Sequence, residues 1–93
     1  MCYPKLYAKG SRVFMYYVYL LRMKNGSIYT GSTPDLEMRI KEHIKGFAEA
    51  TKNLRPVKLI WYCGFEDKIN ALRFERYLKT GSGQAFRNRR LVK

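Results

Sequence analysis

Acidic residues are scarce in this chain: seven Asp and Glu stand against nineteen Lys and Arg, a formal net charge of +12. A field of that sign repels its own chain and draws in polyanions, so nucleic acid is the partner it implies. Cysteine is scarcer still. Cys2 and Cys63 are too few for a disulfide framework, and a single histidine leaves no Cys/His cluster at zinc-ligand spacing. Long apolar runs are missing too. The longest, Val13 to Leu21, is too short to span a bilayer and lacks a signal peptide's cleavage region. No segment combines a basic face with a broad apolar one, which argues against a membrane surface. Internal repeats and low-complexity stretches are absent. The expectation left standing is a reduced, cytoplasmic protein that binds nucleic acid and no membrane.

What is present is enough for one hydrophobic core: 46% of the 93 residues are hydrophobic. Residues 1–13 mix Pro, Gly, Ser and basic residues without a period and read as an appendage; residues 14–93 read as a single domain. A strand rich in Tyr, Val and Leu is expected over Phe14 to Met23, and a second over Ser27 to Ser32. The turn between them decides which side chains share a face. A two-residue Asn25-Gly26 turn pairs Lys24 with Ser27 and puts Tyr19 and Tyr29 on opposite faces. A three-residue loop with Gly26 in the left-handed region pairs Met23 with Ser27, and Tyr17, Tyr19 and Leu21 then share a face with Tyr29 and Gly31. Both registers are open to the sequence.

Thr33 as N-cap and Pro34 at the first helical position predict a helix that closes at Gly46, with Leu36, Ile40 and Ile44 as its core stripe. Arg39 and His43 stack one turn apart along the edge of that stripe. After a loop over Phe47 to Asn53, a third strand is expected from Val57 to Phe65. Strict alternation places Leu59 and Trp61 on one face, Ile60 and Tyr62 on the other. Asp67 caps a second helix that ends near Thr80-Gly81, and a Gly-Ser-Gly hinge leads to a basic, helical tail from Gln84 to Leu91. In the second helix Ala71, Phe74 and Leu78 form the apolar face, with Leu72 extending it, and Glu75 falls between Leu72 and Leu78. A carboxylate so close to a core needs a partner, a proton or a metal ion.

Two tyrosines, an Arg/His pair and one inward Glu form an ordered set that resembles the GIY-YIG nucleases. Tyr17-Val18-Tyr19 stands for the first motif and Tyr29-Thr30-Gly31 for the second. Arg39, His43, Arg55-Pro56 and Glu75 follow in order. The likeness runs from about Tyr16 to Leu91 and is closest to short stand-alone bacterial proteins similar to the nuclease domain of the bacterial excision-repair endonuclease. It implies an α+β fold, a small three-stranded antiparallel sheet flanked by helices, and a DNA endonuclease with a link to DNA repair. It implies one divalent ion on Glu75, Mg²⁺ first and Mn²⁺ as its substitute, and Arg39 stabilising charge on the phosphate. It leans toward Tyr19 as the base for the attacking water with Tyr29 positioning that water, roles that can be exchanged. His43 is implied to touch phosphate or assist proton transfer. Tyr17, Gly31, Ser32 and Asn88 are implied to meet substrate, Gly31 by letting the DNA backbone approach. Two positions depart from the pattern: Tyr17 replaces the leading glycine, and Ser32 stands where relatives often carry a basic residue. A basic module that binds nucleic acid without cutting it is the competing reading, since tyrosine stacking and phosphate contacts suffice for binding. A ribosome-associated basic protein is the weaker third.

Overall fold

The computed structural model describes residues 15–92; Phe14 and the appendage expected over residues 1–13 lie outside them. Three strands, β1 (Tyr16–Arg22), β2 (Ile28–Thr33) and β3 (Lys58–Phe65), pair antiparallel in the order β2-β1-β3. Helix α1 (Leu36–Lys45) follows β2, α2 (Lys68–Leu78) follows β3, and α3 (Gly81–Phe86) continues into a wider helical turn over Arg87–Leu91. The α+β class expected from the sequence is the one observed.

The first hairpin settles the register. Met23 N–H donates to the Ser27 carbonyl at 2.9 Å and Gly26 N–H to the Met23 carbonyl at 2.8 Å, with Gly26 at φ +88°. The loop is therefore three residues long, and Gly26 takes the left-handed conformation that side-chain-bearing residues resist. Tyr19 lies opposite Gly31, and Leu21 opposite Tyr29. Tyr17, Tyr19, Tyr29 and Gly31 consequently share one face.

The other face carries the main core, in which Val18, Leu20, Ala71 and Leu78 are buried and Ile60, Trp61, Phe65 and Phe74 pack against them. β3 departs from strict alternation here. Leu20 pairs with Trp61 but Leu21 with Leu59, so Ile60 is an extra residue in the ladder. The bulge sends both Ile60 and Trp61 to the α2 side, while Leu59 joins Tyr62 and Tyr17 along a groove on the other side. The expected pairing of Leu59 with Trp61 is corrected by this one inserted residue.

Helix starts were also displaced. Asp35, not Thr33, caps α1: its carboxylate accepts from Met38 N–H at 3.1 Å. Thr33 precedes proline and stays extended at the end of β2, with its Oγ1 accepting from Asp35 N–H at 3.1 Å. The line that α1 turns inward is Leu36, Arg39, Ile40 and His43, and Ile44 is exposed. The expected stripe ending in Ile44 was therefore rotated by a fraction of a turn. At the far end, Gly81-Ser82-Gly83 is the first turn of α3 and not a hinge. Thr80 caps it, accepting from Gly83 N–H at 3.1 Å, and a side chain at 83 would collide with the Tyr77 carbonyl.

Candidate active site

Alternation along β1 and β2 delivers Tyr19 and Tyr29 to the α1 side of the sheet, where α1 supplies Arg39 and His43. The rings of Tyr19, Tyr29 and His43 form a triangle with centroids 5.3 to 6.3 Å apart. Tyr19 Oη lies 2.8 Å from His43 Nε2, and His43 Nδ1 lies 2.7 Å from Thr51 Oγ1. This chain is dry: Tyr19 is 1% exposed, His43 and Thr51 0%. Tyr29 is half-buried and is the tyrosine with access to solvent.

Burial has electrostatic consequences. It pushes the Tyr19 phenol up to about 12, against the lowering pull of the neighbouring Arg39 guanidinium, while the charge of Glu75 adds to the rise. Burial and the positive charge of Arg39 hold His43 below its ordinary value, so the ring is neutral at pH 7, with Glu42 opposing the shift. With both ring nitrogens engaged inside the protein, His43 has none left for a phosphate. Gly31 has an internal reason as well. A Cβ there would fall 2.5 Å from Tyr19 Oη and 2.6 Å from its Cζ, so the space is filled by the phenol and not left open to DNA.

Arg39 is the cation at the mouth of this cluster. It forms a part-exposed ion pair with Glu42 at 2.8 Å, an arrangement worth at most about 1 kcal/mol and easily exchanged for a phosphate. A cleft of about 300 Å³ opens beside it, lined by Ser32, Pro34, Asp35, Met38, Arg39 and Glu42.

Glu75 approaches from the opposite side of the sheet. It projects from α2, with a side chain 18% exposed; Ser32 Oγ donates to its Oε1 at 2.5 Å and Lys79 Nζ to its Oε2 at 2.9 Å. Because β2 is an edge strand, the two helices can serve one site over that edge. Ser32 is the link, lining the cleft of Arg39 while holding Glu75. Among the described residues no three His, Cys, Asp or Glu side chains gather as a metal cage. One carboxylate with partial solvent access fits a hard cation that keeps several waters and completes its shell with phosphate oxygens.

Of the remaining expected positions, Tyr17 stacks edge-on against Tyr62, centroids 6.2 Å apart, and lines the adjoining groove. Asn88 is exposed on the C-terminal helical turn, where its Oδ1 accepts from Arg87 Nε, and it makes no hydrogen bond to the cluster. Thr51 was not singled out by sequence. It lies in a loop without period or cap signal, and only the fold brings it to His43.

A three-stranded sheet with paired tyrosines on one face, an Arg on the following helix and a Glu on the next defines a GIY-YIG domain. The chain matches the GIY-YIG catalytic domain over residues 15–89 and belongs to that family of nucleases, which generally use divalent metals. It is 43% identical over 70 residues to a UPF0213 protein of Staphylococcus saprophyticus, covering 74% of this chain and 85% of that one. It is 47% identical over 66 residues to a UPF0213 protein of Clostridium perfringens, covering 70% and 71%. The solution structure of a UPF0213 protein from Bacillus halodurans superposes with a TM-score of 0.53 at 33% identity, over 83% of this chain and 86% of that one. No helix among the described residues is long and apolar enough to cross a membrane.

Proposed function

We propose that this chain is a metal-dependent DNA endonuclease that hydrolyses phosphodiester bonds at the cleft over the β2 edge. The observation that carries the reading is the convergence of Arg39 and the Ser32–Glu75 pair on that one cleft, from opposite sides of the sheet.

Arg39 exchanges Glu42 for the phosphate and stabilises the charge that builds on its oxygens. Glu75 holds one divalent ion, Mg²⁺ or Mn²⁺, which when bound polarises the phosphate and neutralises developing charge. Tyr29, the tyrosine with solvent access, takes the proton of the attacking water in its phenolate form. The two tyrosine roles are thus exchanged relative to the expectation that favoured Tyr19. Tyr19, buried and held protonated, supports Arg39 from behind. Ser32 keeps the Glu75 carboxylate turned toward the cleft, in the place where a basic residue is common. Tyr17, in the neighbouring groove, meets the strand beyond the scissile phosphate.

The test is incubation with Mg²⁺ or Mn²⁺ and a panel of flapped, nicked, branched, duplex and single-stranded DNAs. Metal-dependent cutting of at least one, abolished by chelator, is the expected outcome. Retention of DNA with every phosphodiester left intact would make the chain a binding module instead.

A further inference from the structure

The buried chain behind Arg39 has a direction that its atoms dictate. A guanidinium has donors only, so wherever Arg39 meets the Tyr19 oxygen, that oxygen accepts. Tyr19 keeps its own proton and, at 1% exposure, has no water to give it to; the acceptor within reach is His43 Nε2, at 2.8 Å. Nε2 must then be the unprotonated nitrogen. A neutral imidazole carries its single proton on the other nitrogen, so Nδ1–H donates to Thr51 Oγ1, 2.7 Å away.

We propose that Thr51 is a positioning residue of this site. By accepting Nδ1–H it holds His43 in one tautomer, which draws the Tyr19 hydroxyl inward and leaves the Tyr19 oxygen facing Arg39 as an acceptor. Three buried side chains thereby aim the guanidinium at the cleft without touching substrate. Were Thr51 to lack its hydroxyl, the proton of His43 would gain by moving to Nε2. Tyr19 O–H would then have no acceptor, and the anchor of Arg39 would be lost. A residue that sets a ring's tautomer through its far nitrogen commonly changes activity about 10–100-fold when removed.

The catalytic consequence rests on the endonuclease reading; the tautomer does not. His43 is the sole histidine, so its ring nitrogens give one unambiguous pair of signals in a long-range ¹H–¹⁵N spectrum of uniformly labelled full-length protein. The parent is expected to show protonated Nδ1 and bare Nε2. Thr51→Val, equal in shape but without the hydroxyl, should lose that single tautomer, and Thr51→Ser should keep it. In DNA cleavage Thr51→Val should lower kcat about 10–100-fold with little change in KM, and Thr51→Ser should restore it. A parent ring protonated on Nε2, or a Val variant with unchanged tautomer, overturns the proposal. If the parent cuts no DNA, the endonuclease reading fails while the spectra still decide the role of Thr51.

Discussion

At the scale of single residues, Glu75 and His43 make separable forecasts. Glu75→Gln removes the charge a cation needs but keeps an oxygen to accept from Ser32. Its other partner, Lys79, is 54% exposed and returns to water when released, so the stability lost should be at most about 1 kcal/mol. Cleavage should fall by roughly 10²-fold or more, with DNA affinity equal or higher, since a negative charge has left the phosphate site. Thermal melts and cleavage rates on one preparation test this; a variant cutting at the parent rate removes Glu75 from the site. His43 is depressed by burial, then by Arg39, against Glu42, with the Tyr19 hydroxyl and Thr51 on its two nitrogens. The folded state therefore binds its proton less readily than the unfolded chain, whose histidine titrates near 6.5. Stability from this group is complete above about pH 6.5 and is lost as pH falls through the lower folded value. The His43 ring resonances should accordingly show no titration step at pH 6.5, and a step found there would show that the ring is open to water.

At the scale of elements, the β1–β2 hairpin and the bulge in β3 set the geometry of the site. Gly26 stands at φ +88° with nothing within 4 Å of where a Cβ would be, so substitution there tests backbone conformation alone. Gly26→Ala should cost about 1–2 kcal/mol by forcing a side chain into the left-handed region, and Gly26→Asn distinctly less. Denaturant midpoints of the two variants against the parent decide it; equal midpoints would mean that the turn relaxes to another type. The bulge at Ile60 has a chemical effect too. It lets β3 hand Ile60 and Trp61 to the core while Leu59 and Tyr62 extend the groove beside the site.

For the whole molecule, the net charge of +12 is the governing quantity. Most of it lies on exposed side chains, which act at a distance and without regard to base sequence. If about five phosphates are neutralised, log K for duplex DNA should fall against log salt with a slope near −4.5. Binding titrations between low and high salt measure that slope, and an affinity indifferent to salt would assign the charge to another purpose.

The sequence by itself determined what short-range physics can write: strands from β-rich runs, helix ends from Asp67 and Gly46, the Gly26 turn among two possibilities, and an inward Glu75. Its ordered tyrosines, Arg39 and Glu75 were also sufficient to point to the family. Only the tertiary structure decided the rest. The inserted Ile60 depends on what β1 and α2 demand of β3, and alternation within one strand carries no trace of it. Which way α1 rolls depends on the pocket that takes His43, and Gly81 to Gly83 open a helix because the Tyr77 backbone presses against them. Thr51 is eight residues from His43 along a loop, a separation with no periodicity to read, so only the packed fold makes it a hydrogen-bond partner. The burial that keeps Tyr19 protonated is likewise a collective property of two layers, and no tyrosine carries that information in its own neighbours along the chain.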